Sequence, residues 1–191
     1  MKIPDQFPRR ALAAITVLGL SLAACGDGDE AEAVPESDPG EESATTVGDV
    51  VDVGLVDYAF VGLPTSVPAG TRLTVTNEAE AELHELVAFN LPEDEDRAVA
   101  ELTELAPDEL VAALGEPAAV LLAEPGGEQI PAVGDGTLSE PGRYAIMCFI
   151  PTGVDPQEYL RVAAETEQGP PQVEGGPPHF VQGMYAELTV E

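Results

Sequence analysis

Lysine is all but absent from this chain of 191 residues: Lys2 stands alone, and past Arg10 the only cationic side chains are Arg72, Arg97, Arg143 and Arg161. Against them the whole chain sets 36 acids, for a formal net charge of −29. A field of that sign repels phosphate, which argues against nucleic acid and anionic lipid headgroups as partners; it either favours a protein partner of basic surface or simply keeps the protein soluble in high salt. Cysteine occurs only as Cys25 and Cys148, and histidine only as His84 and His179. Nothing pairs a nucleophile with a base, so the chain does not read as an enzyme. Long apolar runs are missing too. The stretch Ala11 to Ala24 has about 14 residues, too few for a membrane-spanning helix, which needs about 20.

That stretch follows Lys2, Arg9 and Arg10, and together they make the charged and apolar parts of a signal peptide over residues 1–24. Leu22-Ala23-Ala24-Cys25 resembles a bacterial lipobox. The resemblance implies cleavage before Cys25 and a lipid on that cysteine, so the mature chain is held to the extracytoplasmic face of the cell membrane by lipid alone. Cys148 is then the single free thiol and has no intramolecular partner for a disulfide. A lone thiol in an exported protein is open to oxidation and mispairing unless it is buried or capped, and metal ligation caps it. Residues 25–48 are rich in like charges and poor in large apolar side chains, which reads as a disordered acidic tether.

The remaining 49–191 suffice for one domain with a single core. Val50 to Phe60 reads as a first strand, and Thr71 to Asn77 alternates threonine with Leu73 and Val75 as a half-buried strand does. Leu83 to Phe89 is another strand with His84 at its mouth. Between Pro92 and Gly126 the apolar period lengthens to that of a helix, through Val99, Leu102, Leu105, Leu110, Val111 and Leu114. With Pro107 in a first turn and Gly115 at an end, this predicts helices over 94–105 and 107–114, in an insertion spanning about 93–115. Ala118 to Ala123 returns to strand, Pro125 to Pro141 is turn-rich, and Gly142 to Phe149 is the next strand. Asp155-Pro156-Gln157-Glu158 reads as a helix N-cap, first-turn proline and capping-box partner, which predicts a helix over 156–165 in a second insertion, about 155–167. Tyr185 to Val190 closes the domain. Short strands with turn signals point to a mainly β, two-sheet sandwich.

One thiol, two imidazoles and a thioether, in the order His84, Cys148, His179, Met184, resemble the ligands of the cupredoxins, the small blue copper proteins. The match lies in His84 ahead of a mid-domain strand, Gly142-Arg143-Tyr144 before Cys148, and His179 four residues short of Gly183-Met184. The resemblance implies a Greek-key cupredoxin-like β-sandwich with two short helical insertions. It also implies one type 1 copper site, in which the Cys148 thiolate and two neutral imidazoles form a trigonal set and Met184 is a weak axial ligand. Met147, next to the cysteine in a strand, faces away from the site. Two features depart from the usual pattern. Thirty residues separate Cys148 from His179, an insert whose ends, Phe149 to Gly153 and Gly176 to His179, resemble two halves of a ligand loop pushed apart. Glu85 also stands where many members carry asparagine.

Three functions follow from this reading. The leading one is a lipid-anchored carrier of single electrons between redox partners, docking through an exposed edge near His179 flanked by Pro177, Pro178 and Phe180. The others are a copper chaperone or scavenger, and a metal-free module that binds a partner protein.

Overall fold

The computed structural model describes residues 49–166 and 170–191. The signal peptide, Cys25 and the tether lie outside the described residues. Ten strands form two sheets: β1 (Val50–Val56), β2 (Ala59–Val61), β3 (Ser66–Val67), β4 (Thr71–Asn77), β5 (His84–Asn90), β6 (Ala119–Ala123), β7 (Gln129–Val133), β8 (Thr137–Leu138), β9 (Gly142–Met147) and β10 (Tyr185–Val190). One sheet has the order β2-β1-β4-β8 and the other β3-β10-β9-β5-β6-β7. Pairing is antiparallel except for β1 with β4 and β10 with β3. The β-sandwich expected from the sequence is the observed architecture.

Alternation builds the space between the sheets. In β4, Thr71, Leu73, Val75 and Asn77 are buried while Arg72 and Thr76 are exposed, so one face meets the core and the other meets water. Strand β5 is buried along almost its whole length, because it is covered on both faces. Leu86 and Ala88 join Leu55, Leu73, Leu121, Ile146 and Leu188 in the inter-sheet core. Val87 and Phe89 point the other way, into a second cluster with Val99, Leu102, Leu110, Leu114 and Met147. The first helical insertion, α1 (Val99–Leu102) and α2 (Pro107–Leu114), therefore roofs the outer face of the larger sheet.

Helix α1 is shorter than the 94–105 predicted. The carboxylate of Glu95 accepts from the backbone N–H and the Nε–H of Arg97, and Arg143 of β9 donates to the carbonyls of Glu95 and Arg97. Those carbonyls are thereby taken before helical hydrogen bonding can use them, and the helix starts after Ala98, whose N–H is met by the Glu101 carboxylate. Helices α2 and α3 (Pro156–Glu165) match their predicted bounds. Asp155 caps α3 by accepting from the Glu158 N–H at 2.9 Å, and Pro156 occupies its first turn.

The first strand expected over Val50 to Phe60 breaks into the hairpin β1–β2, because Tyr58 adopts φ 62° at the turn, a left-handed conformation that a non-glycine residue rarely takes. The stretch read as turn-rich, Pro125 to Pro141, contains the short edge strands β7 and β8. Among the described residues no helix is long and apolar enough to cross a membrane.

Candidate metal centre

Three strand ends meet at one end of the sandwich. His84 opens β5, Cys148 follows β9 by one residue, and Met184 precedes β10 by one. Alternation turns Cys148 toward the inter-sheet core and Met147 toward the helical roof, as the sequence predicted. His179 comes from the long insert, and the structure shows how that insert still delivers it. Its ends are zipped together in a β-bridge between Pro151 and Pro178. Neither proline has an N–H to give, so the neighbours make the ladder: His179 N–H to the Ile150 carbonyl at 3.0 Å, Thr152 N–H to the Pro177 carbonyl at 3.1 Å, and Gly176 N–H to the Thr152 carbonyl at 2.8 Å. At Gly175 an added Cβ would come within 2.5 Å of the Pro151 side chain, so glycine is what lets the two strands of the neck close. The neck closes the base of the insert, and α3 within it packs Tyr159 against the core cluster that holds Cys148.

Past the neck, Phe180 N–H donates to the Cys148 carbonyl at 2.9 Å and Cys148 N–H to the Met184 carbonyl at 3.2 Å. A 3-10 helical turn over His179–Gln182 joins them. It ends at Gly183, whose φ of 111° lets Met184 N–H reach back to the His179 carbonyl at 3.1 Å. Cys148, His179 and Met184 are thus stitched together by backbone bonds alone.

His84, Cys148 and His179 are each 0% exposed. Their ligand atoms lie within 4.8 Å of one another. Nδ1 of His84 is 3.0 Å from Nδ1 of His179, which is 3.4 Å from the Cys148 sulfur, and the Glu85 N–H points at that sulfur from 3.5 Å. Burial lowers the pKa of His84, and burial followed by the neighbouring His84 lowers that of His179 to about 4, so both rings are neutral near pH 7. Burial, then the charge of Glu85, pushes the Cys148 thiol up. Two neutral imidazoles and a thiol, all dry, make a cluster with no positive charge of its own, and the outer Nε2 atom of each ring is buried without a hydrogen-bond partner. A soft cation fits here: it takes the place of the thiol's proton, which is released, and meets both Nδ1 nitrogens. Thiolate with two imidazoles selects copper, zinc or iron over hard oxygen-seeking ions. The three side chains are positioned as a potential copper site. Met184 is 0% exposed and belongs to the same core cluster as Cys148.

Three neighbours of the cluster, Asp57, Tyr58 and Glu82, carried no signal in the sequence. Asp57 Oδ1 lies 3.6 Å from Nε2 of His84, and Glu82 Oε2 lies 3.6 Å from Nε2 of His179. The Tyr58 ring meets His179 edge-on, with centroids 5.1 Å apart. Glu85, read as the residue in the asparagine position, accepts from the Phe149 N–H at 3.1 Å and so ties the residue after the cysteine to β5. Burial raises its pKa to about 7, with that N–H pulling the other way.

Of the expected docking edge near the buried His179, Pro177 is exposed and Pro178 half-buried, but Phe180 needs correction: it is 8% exposed because it packs on Phe149 with centroids 5.0 Å apart. Val181, 57% exposed, is the large apolar side chain that this turn presents to solvent. A cavity of about 740 Å³ lies elsewhere, at the opposite strand ends, lined by Asn90, Glu140 and Arg143 among others. It holds no thiol or imidazole, and the chemistry belongs to the dry cluster.

A two-sheet sandwich with a buried His-Cys-His cluster at one end is the arrangement that the resemblance to the blue copper proteins implied. Among solved structures, the chain is similar to the dithionite-reduced auracyanin of Roseiflexus castenholzii, at 22% identity over 76% of this chain and 98% of that one, with a TM-score of 0.41. It is likewise similar to auracyanin B, at 20% identity over 76% and 91% with a TM-score of 0.34. Auracyanin A, described as a blue copper protein from Chloroflexus aurantiacus, matches at 18% identity over 74% and 98% with a TM-score of 0.36. No family model matches, and no curated protein does.

Proposed function

We propose that this chain is a lipid-anchored, extracytoplasmic type 1 copper protein that carries single electrons between redox partners. The observation that carries the reading is the convergence of Nδ1 of His84, Nδ1 of His179 and the Cys148 sulfur in a fully buried cluster. Copper bound there would supply a one-electron couple; His84, Cys148 and His179 would hold it, with Met184 as the fourth ligand of this reading. The protein's part is to keep water out and the ligands fixed. The neck at Pro151 and Pro178, the turn bonds at Gly183 and the Glu85–Phe149 tie all restrain the loop that bears the ligands, so little rearrangement accompanies a change of charge. On this reading electrons pass to a partner near Tyr58, whose ring meets the buried His179 edge-on, and Val181, the exposed apolar side chain two residues further along the same turn. The acidic surface favours a partner of basic surface and speeds encounter at low salt.

Restraint on every side also argues against the chaperone reading, since a transfer site must open to release its metal. The purified full chain, titrated with Cu(II), should develop an intense thiolate-to-copper absorption band with a narrow copper hyperfine splitting. Both features should vanish in Cys148→Ala and His179→Ala. Weak copper binding without that band would instead support the metal-free binding module. Cleavage before Cys25 and acylation of that residue are checked by mass spectrometry of the membrane-extracted protein.

A further inference from the structure

We infer that Glu82 is a positioning residue for the metal centre, an outer carboxylate that receives the Nε2–H of His179 and thereby favours the more highly charged state of the bound ion; this rests on the copper reading above. With a metal ion on Nδ1, which faces His84 and Cys148, the sole proton of a neutral His179 ring sits on Nε2, which is buried and lacks a hydrogen-bond partner. A carboxylate oxygen of Glu82 lies 3.6 Å away, a little beyond direct hydrogen-bond length. Its side chain is 21% exposed, so the charge is partly shielded from water.

The carboxylate is also held in place. Both of its oxygens accept from the Gly153 N–H, at 3.3 and 3.2 Å, which pins it to the neck of the insert. Its own backbone carbonyl accepts from Asn77 Nδ2 at 2.9 Å, and that amide also donates to the Ala123 carbonyl at 2.7 Å. Glu82 therefore bridges the β4–β5 connection, the neck and one ligand imidazole. A carboxylate behind a metal-bound imidazole fixes its tautomer and raises its basicity. The added negative charge stabilises Cu(II) more than Cu(I).

Asp57 stands behind His84 in the same way, also at 3.6 Å, but its side chain is 61% exposed, so solvent screens it. The pair supplies an internal control, since Asp57 has the same distance with far less shielding.

The test uses Glu82→Gln, which keeps an oxygen for the Gly153 N–H, beside Asp57→Asn and Glu82→Asp, with copper affinity measured by chelator competition in both oxidation states. Glu82→Gln should bind Cu(II) about tenfold more weakly with Cu(I) binding little changed. For a one-electron couple that is an upward move of about 59 mV in potential. Asp57→Asn should change the ratio by much less, and Glu82→Asp should restore part of it. If the parent shows the blue band but Glu82→Gln leaves the Cu(II)-to-Cu(I) ratio unchanged, or weakens both states equally, Glu82 serves the fold alone and the inference is overturned while the copper reading stands. If the parent shows no blue band, both fall.

Discussion

Replacing Glu85 by glutamine separates charge from shape at the carboxyl group nearest the thiol. Glu85 is 5% exposed, and burial lifts its pKa from 4.5 to about 7. A carboxyl with a folded pKa above its unfolded value holds its proton more tightly in the folded state. Its contribution to stability is therefore complete below about pH 4.5 and is lost as pH rises through 7. At about 1.36 kcal/mol per pH unit, the gap between those two values costs the metal-free protein about 3 kcal/mol by pH 8. Glutamine keeps an oxygen for the Phe149 N–H but never ionises. Metal-free Glu85→Gln should match the parent near pH 4.5 and exceed it by about 3 kcal/mol near pH 8, read from urea unfolding followed by circular dichroism. An equal difference between the two proteins at both pH values would refute the burial argument, since it would mean that Glu85 meets water or a cation when folded.

Two further outcomes follow from the loop that bears the ligands. Gly183→Ala should destabilise the protein by about 1–3 kcal/mol in the same assay and weaken copper binding. The cause is backbone strain at φ 111°, because an added Cβ would meet nothing nearer than the Tyr58 carbonyl at 3.9 Å; unchanged stability would show that the turn relaxes freely. Replacing residues 154–175 with two glycines should leave the blue band in place, since the bridge and its hydrogen bonds lie outside the excision. The price is the lost burial of Val154 and Tyr159, and loss of the band would mean that α3 rather than the neck holds His179.

The elements that the sequence made legible are those whose cause is local. Threonine alternation marks β4, and Asp155 with Pro156 marks the start of α3, because each signal lies within a few residues of what it specifies. The candidate ligands His84, Cys148 and His179 could be picked out because the chain contains so few thiols and imidazoles. What escaped depends on distant partners. The β1–β2 turn pivots on Tyr58, which carries none of the glycine or asparagine that usually announces a left-handed residue. Helix α1 is trimmed by Arg143, more than forty residues further on. Glu82 carries no local signal, since its place behind His179 exists only once the neck has closed. That insert made His179 look remote when counted along the chain, but the measure that matters is the ladder from Ile150 to His179.

The neck has a practical consequence. Because its two strands are fastened to each other below the insert, the segment beyond Gly153 and before Gly176 forms a port: chain enters and leaves at nearly one point. Peptides of other lengths, a fluorescent reporter or a recognition sequence for a chosen partner can be spliced into that port. Such a graft would sit next to the candidate metal centre, on a neck whose own hydrogen bonds it leaves in place.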